Sequence, residues 1–76
     1  MLEEIKNLLV TELNIENPDD ITLEASLGND LGINSLELAD LVLLCEERFD
    51  ITIEDDEVQN FVTVGDVVEF LSSKVD

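Results

Sequence analysis

Twenty aspartates and glutamates stand against three lysines and arginines, and the 76-residue chain carries a net charge of −17 with no histidine. Charge of that density keeps many chains unfolded, so a fold is reached only if apolar residues are numerous and periodic enough to bury a core. Here they are: 45% of the residues are hydrophobic, almost all of them aliphatic. One domain spanning residues 1–76 is expected. A chain this short buries only ~60% of the surface its unfolded form exposes, which leaves stability of a few kcal/mol and little room for a deep catalytic cleft.

The same charge narrows the classes of function. Without histidine there is no imidazole base, proton shuttle or imidazole metal ligand. A dense acidic surface repels nucleic acid and anionic lipid headgroups and attracts basic protein surfaces, with on-rates that fall as salt rises. Protein partners are therefore expected, with no nucleic acid and no membrane insertion. Self-repulsion favours a monomer. Cys45 is the single cysteine, so no internal disulfide forms, and the N-terminus lacks a basic region followed by an apolar core and a cleavage site. A reducing cytoplasmic setting fits best. No apolar run approaches the ~18 residues of a membrane span.

Apolar residues at Leu2, Ile5, Leu8, Leu9 and Leu13 follow helical spacing, with Glu3 and Glu4 in the first turn where the helix dipole favours acids. Asn14 suits a left-handed residue past the helix end, and Pro18 before two aspartates discourages resumption. A long connection then runs to about Gly32, pinned to the core by Ile21, Leu23, Leu27, Leu31 and Ile33. Helix two begins where Asn34 and Glu37 make a capping-box pattern, which places Ser35 in the first turn. Residues Ile51 to Ile53 read as a connector, because a lone three-residue strand has no partner, and Glu54 to Asn60 as one or two helical turns. In the last helix Thr63 and Asp66 form a second capping box, Val62 staples onto Val67, and Val64, Val67, Val68, Leu71 and Val75 supply the apolar face. The fold class is all-α: a small bundle of three main helices plus a short fourth, with a long loop after helix one.

Helix two has two faces. At 100° per residue, Leu38, Leu41, Val42, Cys45 and Phe49 gather on one side as a core face. Opposite them lie Leu36, Asp40, Leu43 and Glu47, flanked by Glu37, Leu44 and Glu46. Two leucines aligned at i and i+7 among carboxylates, beside a serine, look like a docking stripe. Ser35 is a poor nucleophile for hydrolysis, since a carboxylate without an intervening imidazole activates serine weakly. As the acceptor of a phosphate-containing group it is well placed, because a helix N-terminus offers free N–H groups and the positive dipole end.

The stretch "DLGINSLELADLVLLCEERFDITIEDDEV" resembles the central region of acyl carrier proteins. That family's pattern is Leu-Gly, a variable residue, Asp-Ser-Leu, an acidic amphipathic helix ending in Glu-Glu-x-Phe, and a short acidic segment around an Ile. Leu31, Gly32, Ser35, Leu36, Glu46, Glu47, Phe49 and Ile53 match it, while "EEIKNLLVTEL" and "FVTVGDVVEFL" sit where the family places its first and last helices. The resemblance implies that Ser35 receives a 4′-phosphopantetheine arm from coenzyme A through a separate phosphopantetheinyl transferase, and that the arm's thiol carries acyl groups as thioesters. It also implies that the carrier is not itself an enzyme. By the same resemblance Leu36, Glu37, Asp40, Leu43, Glu46 and Glu47 face acyl-transferring and synthase enzymes, and the interhelical core encloses a growing acyl chain.

Asn34 departs from the pattern, where the family most often has Asp; the cap survives the change but a charge beside Ser35 is lost. Cys45, among Leu38, Leu41, Val42 and Phe49, reads as a buried small hydrophobe. The run Glu54 to Glu57 lacks the alternating ligands, central glycine and closing glutamate of a calcium loop, though loose divalent binding that screens the acids is expected. Fatty-acid, polyketide and specialised lipid synthesis all remain open as the pathway served, whereas peptidyl carriers are rarely this acidic as free-standing chains. From a different class, the chain reads as an acidic helical adaptor that binds a basic partner through Leu36 and Leu43, with Ser35 serving only the helix start.

Overall fold

The computed structural model describes residues 1–74, so Val75, assigned above to the apolar face of the last helix, lies outside the described residues. Among them are four α-helices and one 3-10 turn, with no strand beyond a single antiparallel bridge between Ser26 and Thr63. The three-residue stretch after Asp50 is indeed a connector, and the all-α reading holds.

Helix α1, Leu2–Glu12, buries Ile5 and Leu9 completely, one turn apart on the same face. Leu2, Leu8 and Leu13 flank them and are half-buried. The helix stops because Asn14 turns left-handed at φ 58°, and the Leu9 carbonyl accepts from the N–H groups of both Leu13 and Ile15. Asn17 then caps a 3-10 turn at Pro18–Asp20, its side chain accepting from the Asp19 N–H at 3.1 Å. Helix α2, Ser35–Phe49, ends on Asp50 at φ 55°. The short α3 covers Asp55–Val58 and α4 covers Val64–Lys74.

The connection between α1 and α2 is long, but it is a packed segment. Ile21, Ala25, Leu27 and Ile33 are all buried in the core. Its backbone also pairs with the start of α4: Leu27 N–H donates to the Val62 carbonyl at 2.8 Å, Val64 N–H to Ala25 at 3.0 Å, and Gly65 N–H to Leu23 at 2.9 Å. A helix leaves its first N–H groups without intrahelical partners, so the loop supplies the acceptors that α4 lacks. Leu23 corrects the sequence reading. Its side chain is 44% exposed and does not pin the loop; its carbonyl does. Gly65 is required by this approach, since a Cβ there would stand 2.8 Å from the Leu23 carbonyl oxygen.

The capping box on α4 forms as read, with Thr63 Oγ1 accepting from Asp66 N–H at 3.2 Å. The expected staple from Val62 to Val67 is replaced by a polar clasp. Val62 stays 60% exposed, while Asp66 Oδ2 accepts from the N–H groups of both Thr63 and Val62 at 3.0 Å. Those donors, Thr63 foremost, hold the Asp66 carboxyl below the usual carboxylate range. Among the described residues the core is entirely apolar, and no side-chain nitrogen or oxygen is buried without a partner. Cys45 sits within it, and burial, assisted by the nearby Glu46 charge, raises its thiol pKa to about 11. A thiol so poor in thiolate is inert.

Candidate functional site

Ser35 is the first residue of α2, and the residues around it are held by a complete capping box. Asn34 Oδ1 accepts from the Glu37 N–H at 2.8 Å, and Glu37 Oε1 accepts from the Asn34 N–H at 3.1 Å. Gly32, at φ 68°, turns the chain into this cap, a conformation that disfavours any side chain. The serine itself is exposed, and its Oγ makes no hydrogen bond among the described residues.

Beside it lies a shallow recess of about 280 Å³, whose walls come from the α1–α2 loop, from Leu38 on α2 and from Phe61 and Val62 ahead of α4. No charged side chain lines it. Four other recesses on the described surface each carry three carboxylates, as with Glu57, Asp66 and Glu69 between α3 and α4, or Glu12, Asp40 and Glu47 between α1 and α2. On a chain this acidic, the neutral hollow at the serine is a place where a phosphodiester meets no lining anion. Its apolar and amide-bearing walls also suit a neutral, amide-containing arm. The residues present fit the group.

Phe61 and Val62 were not singled out in the sequence as site residues. Phe61 is nearly buried and packs edge-to-face on Phe70 with ring centroids 5.4 Å apart, which fixes that wall of the recess. The backbone pairing of the α1–α2 loop with the start of α4, Leu27 with Val62 among its bonds, brings this segment to Ser35, and contacts between residues so far apart in the chain leave no local pattern to read.

The outer face of α2 is arranged as the helical wheel indicates. Leu36 and Leu43 are 79% and 58% exposed, and Asp40 and Glu47 are exposed between and beyond them. Glu37 and Glu46 differ. Both are half-buried and their carboxylates are engaged within the chain, Glu37 in the capping box and Glu46 through Oε2, which accepts from the Ile53 N–H at 2.8 Å. Leu44 is half-buried on the flank. The core face holds Leu41 and Cys45 buried, with Leu38, Val42 and Phe49 packed around them and partly open. No described helix is long and apolar enough to cross a membrane.

Comparison with known proteins agrees with this geometry. The family described as "Phosphopantetheine attachment site" matches residues 3–71. The acyl carrier protein of Exiguobacterium sibiricum is 41% identical over 75 residues, covering 99% of this chain and 94% of the relative. That of Wolinella succinogenes is 38% identical over 73 residues, covering 96% and 95%, and that of a Sulfurovum species is 36% identical, covering 96% of each. Such proteins are carriers of a phosphopantetheine group, not catalysts, and they work with transferase and synthase enzymes. With the family matched over nearly its whole length, and an exposed serine at a capped helix start beside an uncharged recess, the chain belongs to the acyl carrier proteins, the phosphopantetheine-attachment family.

Proposed function

We propose that Ser35 Oγ is the atom to which 4′-phosphopantetheine is joined, and that the loaded chain shuttles thioester-linked acyl groups between the enzymes of fatty-acid or related lipid or polyketide synthesis. The observation that carries this is the uncharged recess beside an exposed, unbonded Ser35 on a surface otherwise crowded with carboxylates. In the loading step Ser35 Oγ bonds to the phosphorus of coenzyme A that bears the pantetheine. The pyrophosphate bond to the nucleotide breaks, and 3′,5′-adenosine bisphosphate leaves. With no histidine in the chain, the serine proton goes to a base of the phosphopantetheinyl transferase. The bound group supplies a thiol for thioester formation.

Leu36, Asp40, Leu43 and Glu47 form the face that partner enzymes read, with Glu37 and Glu46 supporting it from within. Exposed charges speed encounter without strong binding, so one carrier visits several basic enzyme surfaces and leaves each. The test is intact mass after incubation with coenzyme A and a broad-specificity transferase. The parent is expected to gain one phosphopantetheine and Ser35→Ala none while melting as the parent does. A folded parent that gains nothing returns the chain to the acidic-adaptor reading, in which Ser35→Ala is silent.

A further inference from the structure

The capping box fixes more than a helix start. An asparagine side chain carries one acceptor and one donor group, and which of them faces outward is set by which is used inside. At Asn34 the inside partner is the Glu37 N–H, a donor, so Oδ1 must face it; turning the amide over would set donor against donor. The reciprocal bond from Asn34 N–H to Glu37 Oε1 holds the same two residues together and opposes any rearrangement. The Nδ2 amino group is left facing away from the cap, on an exposed residue, without an acceptor among the described residues. It adjoins Ser35 in the chain, and the next polar side chains along the helix, Glu37 and Asp40, are both carboxylates. An enzyme that brings a phosphorus atom to Ser35 Oγ cannot avoid contact with the residue immediately before it.

We propose that Asn34 determines which enzymes accept this carrier, by presenting a hydrogen-bond donor beside Ser35 that fits an enzyme rim offering a carboxylate or carbonyl oxygen there and rejects one offering lysine or arginine. This rests on Ser35 being the attachment point. Rejection comes from opposing donors held in place by the cap: a cationic rim meets an N–H that cannot rotate to offer oxygen without breaking the capping bond. The carboxylates farther along α2 still attract basic surfaces, so the discrimination is local to the serine.

The test compares loading by two transferases chosen for the residue their rim turns toward the position before the serine, cationic in one and an oxygen acceptor in the other. Asn34→Asp keeps a capping oxygen and exchanges the outward donor for an acceptor; Asn34→Ser keeps a capping oxygen and withdraws the outward amino group, leaving only a hydroxyl on a shorter side chain. Asn7→Asp, at an exposed position of α1, adds the same charge far along the chain. Melting temperatures report whether the cap persists. With Asn34→Asp, kcat/KM is expected to rise about tenfold for the cationic-rim enzyme and to fall about tenfold for the other, with Asn34→Ser lowering the second and producing no comparable rise in the first. Rates that move in the same direction for both enzymes, or no further than Asn7→Asp moves them, overturn the proposal. A folded parent loaded by neither enzyme removes the attachment reading itself, and this inference with it.

Discussion

At the scale of single residues, the decisive positions are those where a backbone group must be met. Gly65 is the sharpest. Its N–H donates to the Leu23 carbonyl, and a methyl group in place of its hydrogen would stand 2.8 Å from that oxygen. Because the obstacle is backbone, relief requires either the loop to move off α4 or the first turn of α4 to shift. Overpacking of this kind costs about 1–3 kcal/mol, and in a domain this small each kcal/mol lowers the melting temperature by ~4–8 °C. Gly65→Ala is therefore expected to melt well below the parent, although alanine is the better helix former. A melt at or above the parent's would mean that the loop does not bind α4 as closely as described. Nothing local announces this glycine: its need comes from Leu23, far away in the chain. Asn14, Asn34 and Thr63 were legible because each acts on neighbours within three or four residues, the range that a sequence pattern spans.

At the scale of elements, α2 divides its acids between two tasks. Glu46 accepts from the Ile53 N–H, a group at the edge of the core, whereas Glu47, next to it, is exposed. Removing the acceptor leaves a part-buried N–H unpaired, which costs about 1–3 kcal/mol. Glu46→Ala is thus expected to lower the melting temperature by several degrees, and Glu47→Ala to leave it near the parent's. Glu47→Lys should reduce kcat/KM for loading, with the deficit shrinking as salt is raised from 20 to about 200 mM because exposed charge acts on encounter. Equal melting temperatures for the two alanine variants would contradict the division. The wheel placed both acids on or beside the stripe correctly but could not separate them, since the bond to Ile53 depends on how the chain folds back after Asp50. The helices themselves were legible from their caps and apolar spacing. The long loop was legible only as apolar residues in search of a core; that Leu27, Val62 and Phe61 close the recess at Ser35 depends on tertiary pairing.

At the scale of the whole molecule, the acids act on one another. The described residues contain a single ion pair, Lys6 with Glu3 at 3.9 Å, and Glu3 is so exposed that the pair contributes little. The chain measures 28 × 21 × 20 Å along its principal axes. At 0.01 M ionic strength the screening length is about 30 Å, so charges on opposite sides still repel one another; at 0.15 M it is about 8 Å, and only neighbours do. Unfolding moves the charges apart and relieves the repulsion, which means that low salt favours the unfolded chain. Raising sodium chloride from 0.01 to 0.15 M is therefore expected to stabilise the protein by at least ~1 kcal/mol, or about 4–8 °C in melting temperature. Magnesium should exceed sodium at equal ionic strength, because the run Glu54 to Glu57 lies just beyond Glu46, Glu47 and Asp50 in the chain and a divalent ion lowers the repulsion of several carboxylates at once. Calorimetry in the two salts decides the matter. A melting temperature that is flat or falling with salt would mean that the folded surface tolerates its charge without strain, and that repulsion among the acids is not what limits its stability.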